Sequence, residues 1–138
     1  ACDTLIINSR DPKEKLQELH EKLENLLTRH QVSLSGVERL YFSKNKKTAL
    51  EVAQARGVII QILLSHGIEV TELGPGQIKM AVTGYGKSDK LAVKKMTLKI
   101  LGIETLEGDD NAIDALAIAL TTAFKTRIKY PNTQPIYN

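Results

Sequence analysis

Cysteine occurs once, at Cys2, and aromatic residues make up only 4% of the 138 positions. A single thiol excludes a disulfide framework and a Cys-rich zinc site, and it fits a reducing compartment, so a cytoplasmic location is expected. Long hydrophobic runs are also missing. The longest, around Val58-Ile59-Ile60, is interrupted by Gln61, short of the ~18 apolar residues that span a bilayer, so no membrane partner is expected. No basic leader precedes an apolar stretch at the amino terminus, so no secretory signal is expected. Ala1 in place of Met suggests a processed, trimmed or incomplete beginning. An excess of one charge sign is slight: 19 basic against 16 acidic residues give a net charge of +3. An anionic partner fits this balance without being required by it, so the distribution of charge must decide.

What is present is an ordinary globular composition, 42% hydrophobic and 25% charged. The length suits one domain, expected over residues 1–126 with an irregular tail from 127 to 138. Thr4-Leu5-Ile6-Ile7 reads as a buried strand, followed by a helix start at Asp11-Pro12. Leu16, Leu19, Leu23, Leu26 and Leu27 then recur at helical spacing as far as His30. Residues 32–40 read as a strand with Glu38 at its exit. Asn45 is placed to cap a helix that His66-Gly67 closes. Residues 68–73 alternate as a third strand, stopped by Gly74-Pro75.

A short helix is expected from Gln77 to Val82, then a loop at Gly84-Tyr85-Gly86. Ser88 is placed to cap a basic helix that Gly102 ends, and Asp109 or Asp110 to cap a last helix reaching about Phe124. Strands alternating with helices indicate an α/β fold with a parallel component to its sheet. Three strands are few for such a domain.

Candidate chemistry rests on acidic residues. A two-metal nuclease needs carboxylates from separate elements to converge, because Mg²⁺ takes oxygen ligands and two ions clamp the attacking and leaving oxygens. Glu38 at a strand end and Asp114 near the start of the last helix have suitable positions. Asn111 lies one turn before Asp114 and offers an amide without charge, and Asp110 also shares that face. The alternative is that these acids are caps and surface residues; alone they do not name an enzyme.

Basic residues cluster in two places, Lys87, Lys90, Lys94 and Lys95 around one helix and Lys44, Lys46 and Lys47 after the Glu38 strand. Such clusters suit a phosphate backbone, and equally a solvated helix face. Tyr41-Phe42 stands out against the low aromatic content: exposed, it could stack on an unpaired base; otherwise it belongs to a core or an interface.

The segments Glu38 to Asn45, Ala53-Gln54-Ala55-Arg56-Gly57, Gln77-Ile78-Lys79, Gly84-Tyr85-Gly86-Lys87-Ser88-Asp89-Lys90 and Asp114-Ala115-Leu116-Ala117-Ile118-Ala119 together resemble the RuvC family of Holliday junction resolvases, from about Ala1 to Phe124. The resemblance implies an RNase H-like mixed sheet flanked by helices, without the first two family strands. It further implies a homodimer making paired nicks in four-way junction DNA during recombination and repair, with the RuvA and RuvB branch-migration proteins as partners. Two Mg²⁺ ions per active site, for which Mn²⁺ can substitute, are implied as cofactors.

Glu38 and Asp114 match family metal ligands, and Asn111 stands where the family has Asp. A fourth acid, in a Gly-Ile-Asp-Pro-Gly segment, has no counterpart here. Tyr41 matches a base-stacking wedge, Lys79 and Lys90 match basic residues for junction binding or catalysis, and Lys44 and Lys87 join the DNA-binding set. Gln54 and Arg56 belong to packing or to the dimer interface. These departures imply little cleavage by the chain as it stands, with junction binding retained. Its rivals are a natural, catalytically dead junction binder and an α/β protein-interaction domain.

Overall fold

Asp11 and Pro12 open the first helix as their chemistry demands. The Asp11 carboxylate accepts from the backbone N–H of Lys13 at 2.9 Å and of Glu14 at 3.1 Å. Pro12, at the first helical position, has no N–H to leave unsatisfied. This helix, α1, spans Pro12–Arg29. The computed structural model describes residues 4–39, 46–104 and 110–129. Two compact units divide the chain, Ala1–Glu72 and Leu73–Asn138.

In the first unit α1 is followed by strand β1 (Leu34–Glu38), helix α2 (Lys46–Ser65) and strand β2 (Glu69–Leu73), whose last residue opens the second unit. β1 and β2 pair as a two-stranded parallel sheet. Parallel strands need a crossover connection, and α2 supplies it. The Glu69 N–H donates to the Ser33 carbonyl at 3.3 Å, and the Ser35 hydroxyl donates to the Glu69 carbonyl at 3.1 Å.

α2 ends in a Schellman turn, as His66-Gly67 forecasts. Gly67 takes φ 69°, its N–H donates to the Leu64 carbonyl, and the Ile68 N–H donates to that of Leu63, each at 3.0 Å. The turn delivers Ile68 into a core with Leu27, Ile62 and Leu63, against which Leu23, Leu26, Val37, Val58 and Val70 pack. Burying one such side chain contributes ~1.5–3 kcal/mol. Over an 18-residue window α2 is long and apolar enough, by length and composition alone, to cross a membrane. In this fold it packs against α1, while Leu50, Val52 and Leu64 remain exposed.

The strand expected at residues 4–7 does not form. Among the described residues the sheet has two strands, and Ile6 is 67% exposed. A strand requires a ladder partner, and the backbone here is satisfied by side chains instead. The Glu18 carboxylate accepts from the N–H of Asn8 at 3.0 Å and from the N–H and hydroxyl of Ser9 at 2.9 and 2.7 Å. Lys22 pairs with Glu18 at 2.7 Å and donates to the Ile6 carbonyl.

The second unit holds helices α3 (Pro75–Thr83), α4 (Lys90–Leu101) and α5 (Asp110–Lys129), which pack on one another. Leu73, Ile78, Val82, Val93 and Ala117 form its core, with Met96 and Ile118 against it. The buried hydroxyls of Thr121 and Thr122 donate to carbonyls one turn back, both at 2.8 Å, so neither is orphaned. At the start of α3, Gln77 reaches back to accept the Gly74 N–H at 2.9 Å.

Asp89, not Ser88, caps α4, its carboxylate accepting from the Ala92 N–H at 2.7 Å. Ser88 is buried, and its hydroxyl donates to the Tyr85 carbonyl at 2.7 Å. Gly102 closes α4 at φ 66° in a second Schellman turn. α5 continues beyond Phe124 to Lys129, and Asp110 is its first residue. The expected caps Asn45 and Asp109, and residues 130–138 of the expected tail, lie outside the described residues.

The Glu18 carboxyl is held far below its ordinary 4.5, first by Lys22 and then by the Ser9 hydroxyl and the Asn8 and Ser9 N–H groups. A carboxyl depressed in the folded state contributes stability above its unfolded pKa and loses it as pH falls toward the folded value. Acid unfolding followed by circular dichroism should therefore show stability declining below about pH 4.5, with a shallower decline in Glu18→Gln. An unchanged acid limb in that variant would refute the assignment.

Candidate functional site

Glu38 is the last residue of β1 and exposed. Its backbone is tied down by α2: Arg56 Nε donates to the Glu38 carbonyl at 3.3 Å. The same guanidinium places Nη2 2.6 Å from Glu72 Oε2 on β2. That distance is a close ion pair, although Nη2 itself is not aligned as a hydrogen-bond donor. Arg56, expected in packing or an interface, thus clamps the end of β1 to β2 within its own unit.

Asp110, Asn111 and Asp114 occupy the first turns of α5 in the second unit. Helical spacing makes Asp110 (i, i+4) and Asn111 (i, i+3) each a neighbour of Asp114, and the helix N-terminus favours carboxylates there. The neighbouring α4 supplies the counter-charge. Lys90 Nζ lies 3.6 Å from Asp110 Oδ2 and 3.5 Å from Asp114 Oδ2, and Lys94 Nζ lies 3.4 Å from Asp110 Oδ1. Attraction chiefly to Asp114 raises the Lys90 ammonium above its ordinary 10.5. The Lys94 hydrogen bond, then the charge of Lys90, lowers Asp110 below its ordinary 3.8. All four side chains are at least 40% exposed, so water and salt screen these pairs.

Lys90, singled out as a DNA-binding candidate, is therefore also the counter-ion of Asp114, a metal-ligand candidate. The pairing of Asp110 with both lysines was not readable from spacing, since it depends on how α4 packs on α5. Lys79 is half-buried and Lys87 exposed. Tyr41 and Lys44 lie outside the described residues. A shallow groove in the first unit, lined by Leu16, His20, Gln54 and Val58 among others, carries no acid and offers no comparable chemistry.

Among the described residues no three Asp, Glu, His or Cys side chains converge as a metal site. The two carboxylates that share the α5 face both hold lysine, and the amide of Asn111 supplies no charge. This donor set falls short of a two-metal centre, which calls for several anionic oxygens.

The elements are those of an α/β protein, and the likeness to solved RuvC structures puts the chain in the RNase H-like class. The chain belongs to the RuvC family: the family model described as crossover junction endodeoxyribonuclease RuvC matches residues 1–122. A protein of that name from Fusobacterium nucleatum is 35% identical over 119 residues, covering 85% of this chain and 63% of its own length. One from Chloroflexus aggregans is 43% identical over 111 residues, covering 80% and 68%. The Thermus thermophilus RuvC structure in complex with a Holliday junction substrate is 30% identical, with a TM-score of 0.82, covering 89% of this chain and 76% of that one. The chain spans a little under two thirds of the length of the first curated relatives it matches.

The Lys94 contact generates a direct test. Carboxyl ¹³C titration of the native chain should place Asp110 below the ordinary Asp range, and Lys94→Met should move it upward, because the ion pair favours the charged form and is lost as pH falls through the depressed value. An Asp110 titration indifferent to Lys94→Met would show that the pair does not persist in solution.

Proposed function

We propose that this chain is the junction-recognising part of a structure-selective endodeoxyribonuclease of the RuvC type, retaining DNA binding and cutting weakly or not at all as it stands. The observation that carries the reading is the likeness to the Thermus thermophilus RuvC whose structure holds a Holliday junction. Lysines at the start of α4 support it, since a phosphate backbone is held mainly by such cations. Lys79, Lys87 and Lys90 are its proposed DNA contacts among the described residues, with Tyr41 and Lys44 proposed from the sequence.

Mg²⁺ is the cofactor that belongs to this reading, with Glu38, Asn111 and Asp114 as ligand positions, and position 111 is where charge is short. A homodimer working beside RuvA and RuvB on cytoplasmic, nucleoid-associated DNA completes the proposal. Asn111 favours a binder over an efficient nuclease, because a neutral amide oxygen coordinates a divalent cation more weakly than a carboxylate and offsets none of its charge.

A gel-shift titration at moderate salt should show a synthetic four-way junction bound more tightly than duplex of the same sequence, with affinity falling steeply as salt rises. Equal affinity for the two would sink the reading. Asn111→Asp should tighten Mn²⁺ binding at least about tenfold, the lower end of what even an outer-shell partner contributes. Unaltered Mn²⁺ binding would remove position 111 from the ligand set.

A further inference from the structure

The turn between α3 and α4 holds its backbone tightly while presenting an aromatic ring to solvent. α3 ends at Gly84, which takes φ 78° and donates its N–H to the Met80 carbonyl at 2.9 Å. The Tyr85 N–H then donates to Thr83 Oγ1 at 3.1 Å. The Tyr85 carbonyl accepts from the Ser88 hydroxyl at 2.7 Å and from the Ser88 N–H at 3.1 Å, and Thr83 Oγ1 lies 2.6 Å from Ser88 Oγ. Thr83 is itself anchored to α3 through the Lys79 carbonyl at 2.8 Å. Both backbone polar groups of Tyr85 are thereby fixed by side chains, one of them the buried Ser88.

The Tyr85 side chain gains little from this order: it is 60% exposed. A single exposed aromatic is unremarkable on a protein surface. One on a turn whose backbone is pinned on both sides springs from a fixed Cα, which lowers the ordering cost of engaging a ligand. The surroundings select the ligand's chemistry. Exposed Lys87 is two residues on and exposed Lys90 opens α4, while Met80, 54% exposed, lines the α3 side, its Cε 3.6 Å from where a Cβ on Gly86 would stand. An exposed aromatic ring two residues from an exposed lysine matches a nucleobase and its neighbouring phosphate.

We propose that the Tyr85 turn is a nucleic-acid contact in which the phenol ring stacks on an unpaired or opened base while Lys87 meets the adjoining phosphate. This rests on the reading of the chain as a junction binder and adds to it a stacking residue. The Thr83 and Ser88 hydroxyls act as positioning groups for that ring.

The chain contains no tryptophan, so Tyr85→Trp introduces a sole indole reporter at this exposed position. Titration with a synthetic four-way junction should quench its emission to a saturating plateau, as stacking of the indole on a base brings the two π-systems into contact. Tyr85→Ala should weaken junction binding about fivefold or more, the lower end of a base–aromatic stack, whereas Tyr85→Phe, which keeps the ring, should bind like the parent chain. Lys87→Ala should lower the slope of log affinity against log salt by about one. Unquenched emission in a saturated Tyr85→Trp complex, or parent-like affinity in Tyr85→Ala, overturns the contact while leaving junction binding intact; the latter result would turn the exposed ring toward a protein partner instead. Absence of any binding by the parent chain overturns the function reading itself, and this contact with it.

Discussion

A two-stranded sheet cannot bury enough apolar surface to stand alone, and the first unit is organised around that constraint. β1 and β2 run parallel, so the chain between them must cross over, and α2 is the crossing. Ile62 and Leu63 near its end pack with Leu27 of α1 and with Ile68, which the Gly67 turn delivers to the strand. Removing that contact would free α1 from α2 and open the core that Val37 of β1 and Val70 of β2 pack against. Glu38 owes its place at the end of β1 to the same arrangement, reinforced from α2 by Arg56.

The second unit solves its burial problem differently, by packing three helices around Leu73, Ile78, Val82, Val93 and Ala117. Ala117 is slim and fully buried, which permits close helix contact. Close contact between α4 and α5 in turn sets Lys90 against Asp110 and Asp114. The chemistry of this face is therefore a consequence of core packing, since neither helix alone would bring an ammonium to those carboxylates.

Much of this was legible from residue order. Leucines at helical spacing mark α1, and Gly67 and Gly102 mark helix ends through the left-handed conformation that they adopt readily. Gly74-Pro75 separates β2 from α3 as expected. The strand read at residues 4–7 failed because apolar β-branched residues state a preference and cannot supply a ladder partner; Glu18 and Lys22 take the backbone groups instead. Ser88 was misread as a cap because Ser and Asp are both good caps and only the turn's geometry decides between adjacent candidates. Tyr85 passed as part of a glycine loop, since the hydrogen bonds from Thr83 and Ser88 that fix its backbone are announced by no spacing rule. Of the candidate site, the acidic positions and the lysine-rich helix start were readable, and their pairing was not.

That pairing bears on the charge balance of the second unit. The helix N-terminus of α5 carries a partial positive charge that favours carboxylates in the first turn, and Lys90 and Lys94 add two full positive charges beside it. A third carboxylate at position 111 would meet attraction there as well as repulsion, so the fold does not demand the neutral Asn111. Lys90, in turn, cannot serve two anions at full strength. Its ammonium lies 3.5 Å from Asp114 Oδ2, in a solvent-screened pair. On the proposed reading, a phosphate bound at the start of α4 and the carboxylate of Asp114 would draw on the same ammonium, so DNA binding and the Lys90–Asp114 pair would be coupled there.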